Sequence, residues 1–175
     1  MKKLLPFDNK WKDFYAYEKA LLLHYLKGQK IINIEHVGAT SVVLCGTCGT
    51  IDVLCGIQTS LDFITIKNIL VRNGYTFVEN QSDYLSHLFF VRRNPNRQIV
   101  STIRLVEYGS DVYNRIMAFK YYLKERDSNV RKYNEFRVAL LEKYGGDMSK
   151  YQLVKSDYIE SILNDFCVFD KKCTE

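Results

Sequence analysis

Two β-branched apolar runs, Ile31 to Val37 and Thr50 to Ile57, are separated by twelve residues, "GATSVVLCGTCG", in which glycines and small side chains recur. Side chains branched at Cβ crowd a helix and suit a pleated surface, so both runs read as strands joined by a compact connection. This block constrains the chain most, because the segments around it follow a different period. Trp11, Phe14, Tyr15, Glu18, Leu21, Leu22 and Tyr25 recur at intervals of three and four, which predicts an amphipathic helix capped by Asp8 and ending near Gly28. Leu61 to Asn73 predicts a second helix stopped by Gly74, and Tyr75 to Glu79 a short strand. Tyr84 to Arg93 and Gln98 to Val106 flank the turn sequence "NPN" and read as a hairpin.

From Ser110 the spacing is helical in three segments, marked by Val112, Ile116, Phe119 and Leu123, then Val130, Tyr133, Phe136, Leu140 and Tyr144, then Tyr158, Ile162 and Phe166. The order is helix, two strands, helix, three strands, three helices, an α+β arrangement. The last two helices are expected to pack on the sheet through Tyr133, Phe136, Leu140, Tyr158 and Ile162.

A chain of 175 residues fits one domain, taken as 1–175. Its apolar runs fall far short of the roughly 18 residues of a membrane span, and "MKKLLP" lacks the apolar stretch of a signal peptide, so a cytoplasmic protein without a membrane role is expected. Five cysteines without framework spacing read as free thiols in a reducing compartment. Within a net charge of +5, the one concentrated basic region lies around Arg72, Arg92, Arg93, Arg97 and Arg104, offset by Glu79 and Asp83. That region is either a solvated hairpin rim or an attractor of anions. With so modest a charge and no recognised motif, nucleic acid is not the expected partner.

Three features between Ile34 and Gly56 carry candidate chemistry. Gly38-Ala39-Thr40-Ser41 follows a strand, where backbone N–H groups and hydroxyls can approach a phosphate. Asp52 stands inside an apolar strand, on the face opposite Ile51 and Val53, and a carboxylate there is costly without a partner. Cys45 and Cys48 form one Cys-x-x-Cys pair, open to readings as half a zinc site, a redox pair or ordinary thiols; with no second pair and His24, His36 and His87 scattered, ordinary thiols without zinc are expected.

Taken together, these pieces resemble the GrpB-like family, assigned to the nucleotidyltransferase fold of the DNA polymerase β type. The family signature runs His-Ile-Gly-Ser-Thr-Ser-Val-Pro-Gly-Leu, then Ala-Lys-Pro, then Ile-Asp, and aligns here without a gap. His36, Gly38, Thr40, Ser41, Val42, Ile51 and Asp52 match it. The similarity extends to "PFDNKWKDFYAYEKALL", "EYGSDVYNRIMAFKYYLKE", "KYNEFRVALLEKY" and "YQLVKSDYIESIL", nearly the whole chain. The resemblance implies a nucleotidyltransferase-like mixed sheet of about five strands, packed with an N-terminal helix and a C-terminal group of three helices. It also implies phosphate-cradling by the Gly38, Thr40 and Ser41 turn and a magnesium ligand in Asp52; for a phosphorylated ligand in such a cleft, Arg104, Arg115 and Lys155 are the expected anion contacts and His36 is expected to orient the turn.

This sequence departs from the pattern. Thr50 stands where such enzymes carry the first of two acids, Ala39 replaces a serine, Val43-Leu44 replaces Pro-Gly, Cys48-Gly49 replaces Lys-Pro, and Thr102-Ile103-Arg104 replaces a His-Leu-His strand. The expectation is therefore a binder of a nucleotide or other phosphorylated molecule with weak or lost transfer activity. The alternatives are an active magnesium-dependent nucleotidyltransferase using Asp52, or a non-catalytic protein interaction module.

Overall fold

The computed structural model describes residues 4–172. Helix α1 (Lys10–Tyr25) is preceded by Asn9 at the N-cap rather than the expected Asp8, whose carboxylate stands one residue earlier and accepts from the Lys10 backbone N–H (2.9 Å). There follow β1 (Ile31–Val37), β2 (Ile51–Ile57), α2 (Phe63–Arg72), β3 (Thr76–Phe77), β4 (His87–Arg93), β5 (Ile99–Glu107), α3 (Asp111–Glu125), α4 (Asp127–Tyr144) and α5 (Met148–Lys172). The order of elements is the one the periodicities predict.

The five strands form one mixed sheet in the order β1-β2-β5-β4-β3, with β2 and β5 parallel and the other pairs antiparallel. On one face, Ile51, Val53, Cys55 and Ile57 of β2 meet Leu22 and Leu26 at the end of α1 and Phe63, Ile66 and Leu70 of α2 in the main core. Leu54 on the other face packs with Val37 and Val106 against Tyr113 and Met117 of α3. Both faces of β2 are thus covered, which is why it reads as an almost unbroken apolar run.

Two strand ends fall short of expectation because side chains redirect the backbone. Asp83 accepts from the Leu85 N–H (2.9 Å) and the Ser86 hydroxyl (2.9 Å), holding residues 84–86 in a turn, so the hairpin arm begins at His87 rather than Tyr84. The strand expected over 75–79 pairs only at Thr76 and Phe77, and a 3-10 turn takes over at Glu79.

The expected docking of α4 and α5 on the sheet is corrected. Their apolar faces rest on α3, on each other and on the β1–β2 connection, where Tyr133 joins Val42, Cys45, Leu123 and Val130. Phe136 is only half-buried, stacked on Tyr158 with ring centroids 3.8 Å apart, and Leu163, not Ile162, is the buried residue of that turn. Leu140 packs with Leu141 and Tyr151 in a separate cluster. The side chains of Phe166 and Cys167, and Cys173 altogether, lie outside the described residues.

Candidate functional site

The separation of α4 and α5 from the sheet opens a cavity of about 890 Å³ between the α3-side face of the sheet and the C-terminal helices. Register decides which strand residues line it. Asp52 pairs with Thr102 and Leu54 with Arg104, so Asp52, Thr102 and Arg104 project from one face, joined by Phe89, the partner of Arg104 on β4. Helix α4 contributes Arg137 and α5 contributes Lys155.

Asp52 is the anionic centre. Its Oδ1 accepts from the Thr102 hydroxyl (2.7 Å), while Oδ2 makes no hydrogen bond among the described residues. Burial pushes its carboxyl above the usual range, against the Thr102 bond and the nearby charges of Lys155, Arg104 and Arg137. The same burial pushes Lys155 down, with Asp52 opposing and Arg137 and Arg104 adding their repulsion. Arg104 lies over the Phe89 ring, 5.4 Å from its centroid, and is also lowered by burial, with Asp52 opposing.

Gly38 closes the site beneath the carboxylate. Its φ of +68° and ψ of −171° are open essentially to glycine alone, and a Cβ built there would stand 2.2 Å from Asp52 Oδ2. Glycine at this position therefore lets the turn after β1 lie directly against the acid on β2.

The other signature residues support the turn from below. His36 pairs with Val53 rather than Asp52, so it points to the opposite face of the sheet, stacked on Tyr15 with centroids 4.6 Å apart. The Thr40 hydroxyl donates to the Thr50 carbonyl (3.3 Å) and shares a 2.9 Å bond with His36 Nε2, which makes the imidazole the donor. Ser41 donates to the Gly38 carbonyl (2.7 Å). Both hydroxyls are thus engaged within the turn, and Thr40 is 1% exposed. Arg115 sits at the rim, ion-paired to Glu160 of α5 (Nε to Oε1 3.3 Å).

The burial of His36 beneath the turn has a consequence for acid stability. Burial, with Lys120 and Lys124 adding, lowers its pKa from the ordinary value of 6.5 to about 4. A native pKa below the unfolded one means that the unfolded chain takes up a proton the fold refuses, so stability present above about pH 6.5 is lost as pH falls towards 4. The expected loss is about 2 to 3 kcal/mol once partial solvent screening is allowed for. Urea unfolding across this range should show the slope reduced in His36→Gln. A remnant should persist from His87, lowered by burial and by Arg104, whereas Asp52, with its raised pKa, contributes with the opposite sign.

Arg137 is a cavity-lining cation that the sequence reading did not single out. It is 5% exposed, donates to the Gly46 carbonyl, to Tyr151 Oη (3.3 Å) and towards Cys48 Sγ (3.6 Å), and covers the Tyr133 ring. The signal was available: Arg137 falls four residues after Tyr133 and three before Leu140, a charge inside an apolar helical stripe. Neighbouring Asn134 accepts from the Gly46 N–H (2.8 Å) and donates to the Leu44 carbonyl (2.9 Å), so α4 clamps the Cys-x-x-Cys segment. Cys45 is buried in an apolar cluster while Cys48 is exposed, and among the described residues no three His, Cys, Asp or Glu side chains converge to hold a metal ion.

The family model described as "GrpB protein" matches residues 2–165. Glutamate-rich protein GrpB of Alkalihalophilus pseudofirmus is 23% identical, over 93% of this chain and 94% of its own. The crystal structure of conserved protein GrpB from Enterococcus faecalis superposes with a TM-score of 0.79 at 19% identity, covering 93% of this chain and 96% of that one. Cid1 poly(U) polymerase, in a MgATP-bound form, gives a TM-score of 0.55 at 10% identity over 79% of this chain and 44% of that one, a likeness of fold. The α+β architecture is nucleotidyltransferase-like.

Proposed function

The chain belongs to the GrpB family, and from that premise we propose that it binds a nucleotide or another phosphorylated small molecule in the cavity above Asp52, with weak or lost transfer activity. One observation carries this reading. Arg104, Arg137 and Lys155 line the cavity, and none of them forms an ion pair with a carboxylate among the described residues. These three cations outnumber the one carboxylate beside them, Asp52, and a bound oxyanion contacted by Arg104 and Lys155, with Arg137 adding its charge from behind, supplies the missing negative charge.

Magnesium, which the fold implies, does not suit this donor set. Asp52 is the one strand carboxylate among the residues lining the cavity, Thr102 is its hydrogen-bond donor, Glu160 at the rim is committed to Arg115, and Glu35 of β1 is ion-paired to Lys120 (2.8 Å). Glu107, the other acid at hand on β5, accepts from the Ser60 N–H (2.9 Å). One carboxylate among three cations repels a divalent ion, so no transfer step runs through a metal. We assign no zinc to Cys45 and Cys48. No helix among the described residues is long and apolar enough to cross a membrane. A single cytoplasmic domain remains part of this proposal.

Calorimetric titration with nucleotides, with and without Mg²⁺, tests the reading. Asp52→Asn should leave affinity unchanged or improved, because it removes a charge that repels the ligand. Arg104→Ala should weaken binding by about 1.5 to 3 kcal/mol, the range of a charge-assisted hydrogen bond. Nucleotide turnover that requires Mg²⁺ and vanishes in Asp52→Asn would instead restore the transferase.

A further inference from the structure

We propose that the ligand is a phosphomonoester, bound through one terminal dianionic phosphate without metal, its organic body lying along the apolar wall of the cavity. This rests on the phosphorylated-ligand reading and narrows it. The Arg115–Glu160 pair cancels at the rim, and with Asp52 ionised the three cations Arg104, Arg137 and Lys155 leave a net charge of about +2 within the cavity. A phosphate monoester carries about −1.5 to −2 at neutral pH and matches it. A triphosphate brings roughly twice that charge, and among the described residues no three His, Cys, Asp or Glu side chains converge to hold the cation that would offset the excess.

The lining of the cavity is also divided. Polar and charged groups gather around Asp52, whereas Ile116 and Phe119 of α3 and Ile159 and Leu163 of α5 add apolar lining. Bare phosphate would leave that lining and most of the 890 Å³ unused. Lys155 is the group most altered by occupancy, since it is the flexible cation of the three and has no ion pair among the described residues.

Calorimetry on the full chain would compare a nucleoside 5′-monophosphate, a hexose phosphate, inorganic phosphate and a nucleoside triphosphate, each with and without Mg²⁺. The expected result is at least about tenfold tighter binding of one or both monoesters than of either inorganic phosphate or the triphosphate, with Mg²⁺ changing the monoester affinity by less than about twofold. The nucleoside and hexose arms identify the organic body. Lys155→Gln should reduce monoester affinity by about tenfold or more. Phosphorus NMR of the wild-type complex needs no variant: the bound ester should remain dianionic well below its free pKa of about 6, because the cations favour the dianion. A triphosphate that binds more tightly than both monoesters, or a bound ester whose titration is unmoved, overturns the monoester assignment while leaving a phosphorylated ligand in place. Failure of every phosphorylated probe to bind overturns both.

Discussion

Arg92→Ala is expected to destabilise the protein by about 3 to 5 kcal/mol in urea unfolding, the range for breaking one side of a buried ion pair. Glu18 of α1 is wholly buried, and its carboxylate accepts from Arg92 Nε (2.8 Å), from the second Arg92 nitrogen and from Tyr75 Oη (2.7 Å). Without Arg92 that buried carboxylate keeps only the phenol. Tyr75 follows α2 and Arg92 is on β4, so three separate parts of the fold meet at one acid. Replacing both partners with apolar residues, as in Glu18→Leu with Arg92→Met, should cost far less than the single change, because no charge is left buried. A single-variant loss below about 1 kcal/mol would contradict this account.

Gly38→Ala should be nearly as damaging, at about 3 kcal/mol or more, and should also abolish ligand binding. Two costs combine. The backbone conformation excludes a side chain at about 1 to 3 kcal/mol, and the added methyl meets the Asp52 carboxylate at 2.2 Å, so the turn or the strand must move. Gly74→Ala is the control that separates them. Gly74 also has a positive φ, +87°, but a Cβ there has nothing within 4 Å, so only the conformational part remains, about 1 to 2 kcal/mol. If the two variants lose equal stability and Gly38→Ala still binds ligand, the Gly38–Asp52 contact does not shape the site.

The fate of the arginine-rich region shows where one-dimensional reading stops. Arg72, Arg92, Arg93, Arg97 and Arg104 cluster along the chain, yet the fold sends them to different places. Arg72 is exposed, Arg92 reaches the buried Glu18, and Arg93 turns back to the Arg97 carbonyl (2.9 Å) in the hairpin loop. Arg104 alone enters the cavity. Neither reading of the cluster as a unit, rim or anion attractor, describes all five. Similarly, Cys45 and Cys48 lie three residues apart in sequence but on opposite sides of the buried boundary, because Asn134 and Arg137 pin the intervening backbone.

The order of helices and strands, the α+β class, the family and the placement of Asp52 opposite Ile51 and Val53 were all determined by the sequence alone. Each depends on a local period or on residues a few positions apart, and such signals survive in one dimension. The tertiary structure decided the rest: the pairing of β2 with β5 that gives Asp52 its Thr102 donor, the stand-off of α4 and α5 that opens the cavity, and the arrival of Arg137 and Lys155 from helices 85 and 103 residues beyond Asp52. It also turned the signature hydroxyls of Thr40 and Ser41 inward to hold the turn that Gly38 makes beside the acid. Local backbone preference says which face a side chain occupies. What it faces across the cavity depends on sheet register and helix packing, which arise only when distant segments compete to bury the same apolar surface.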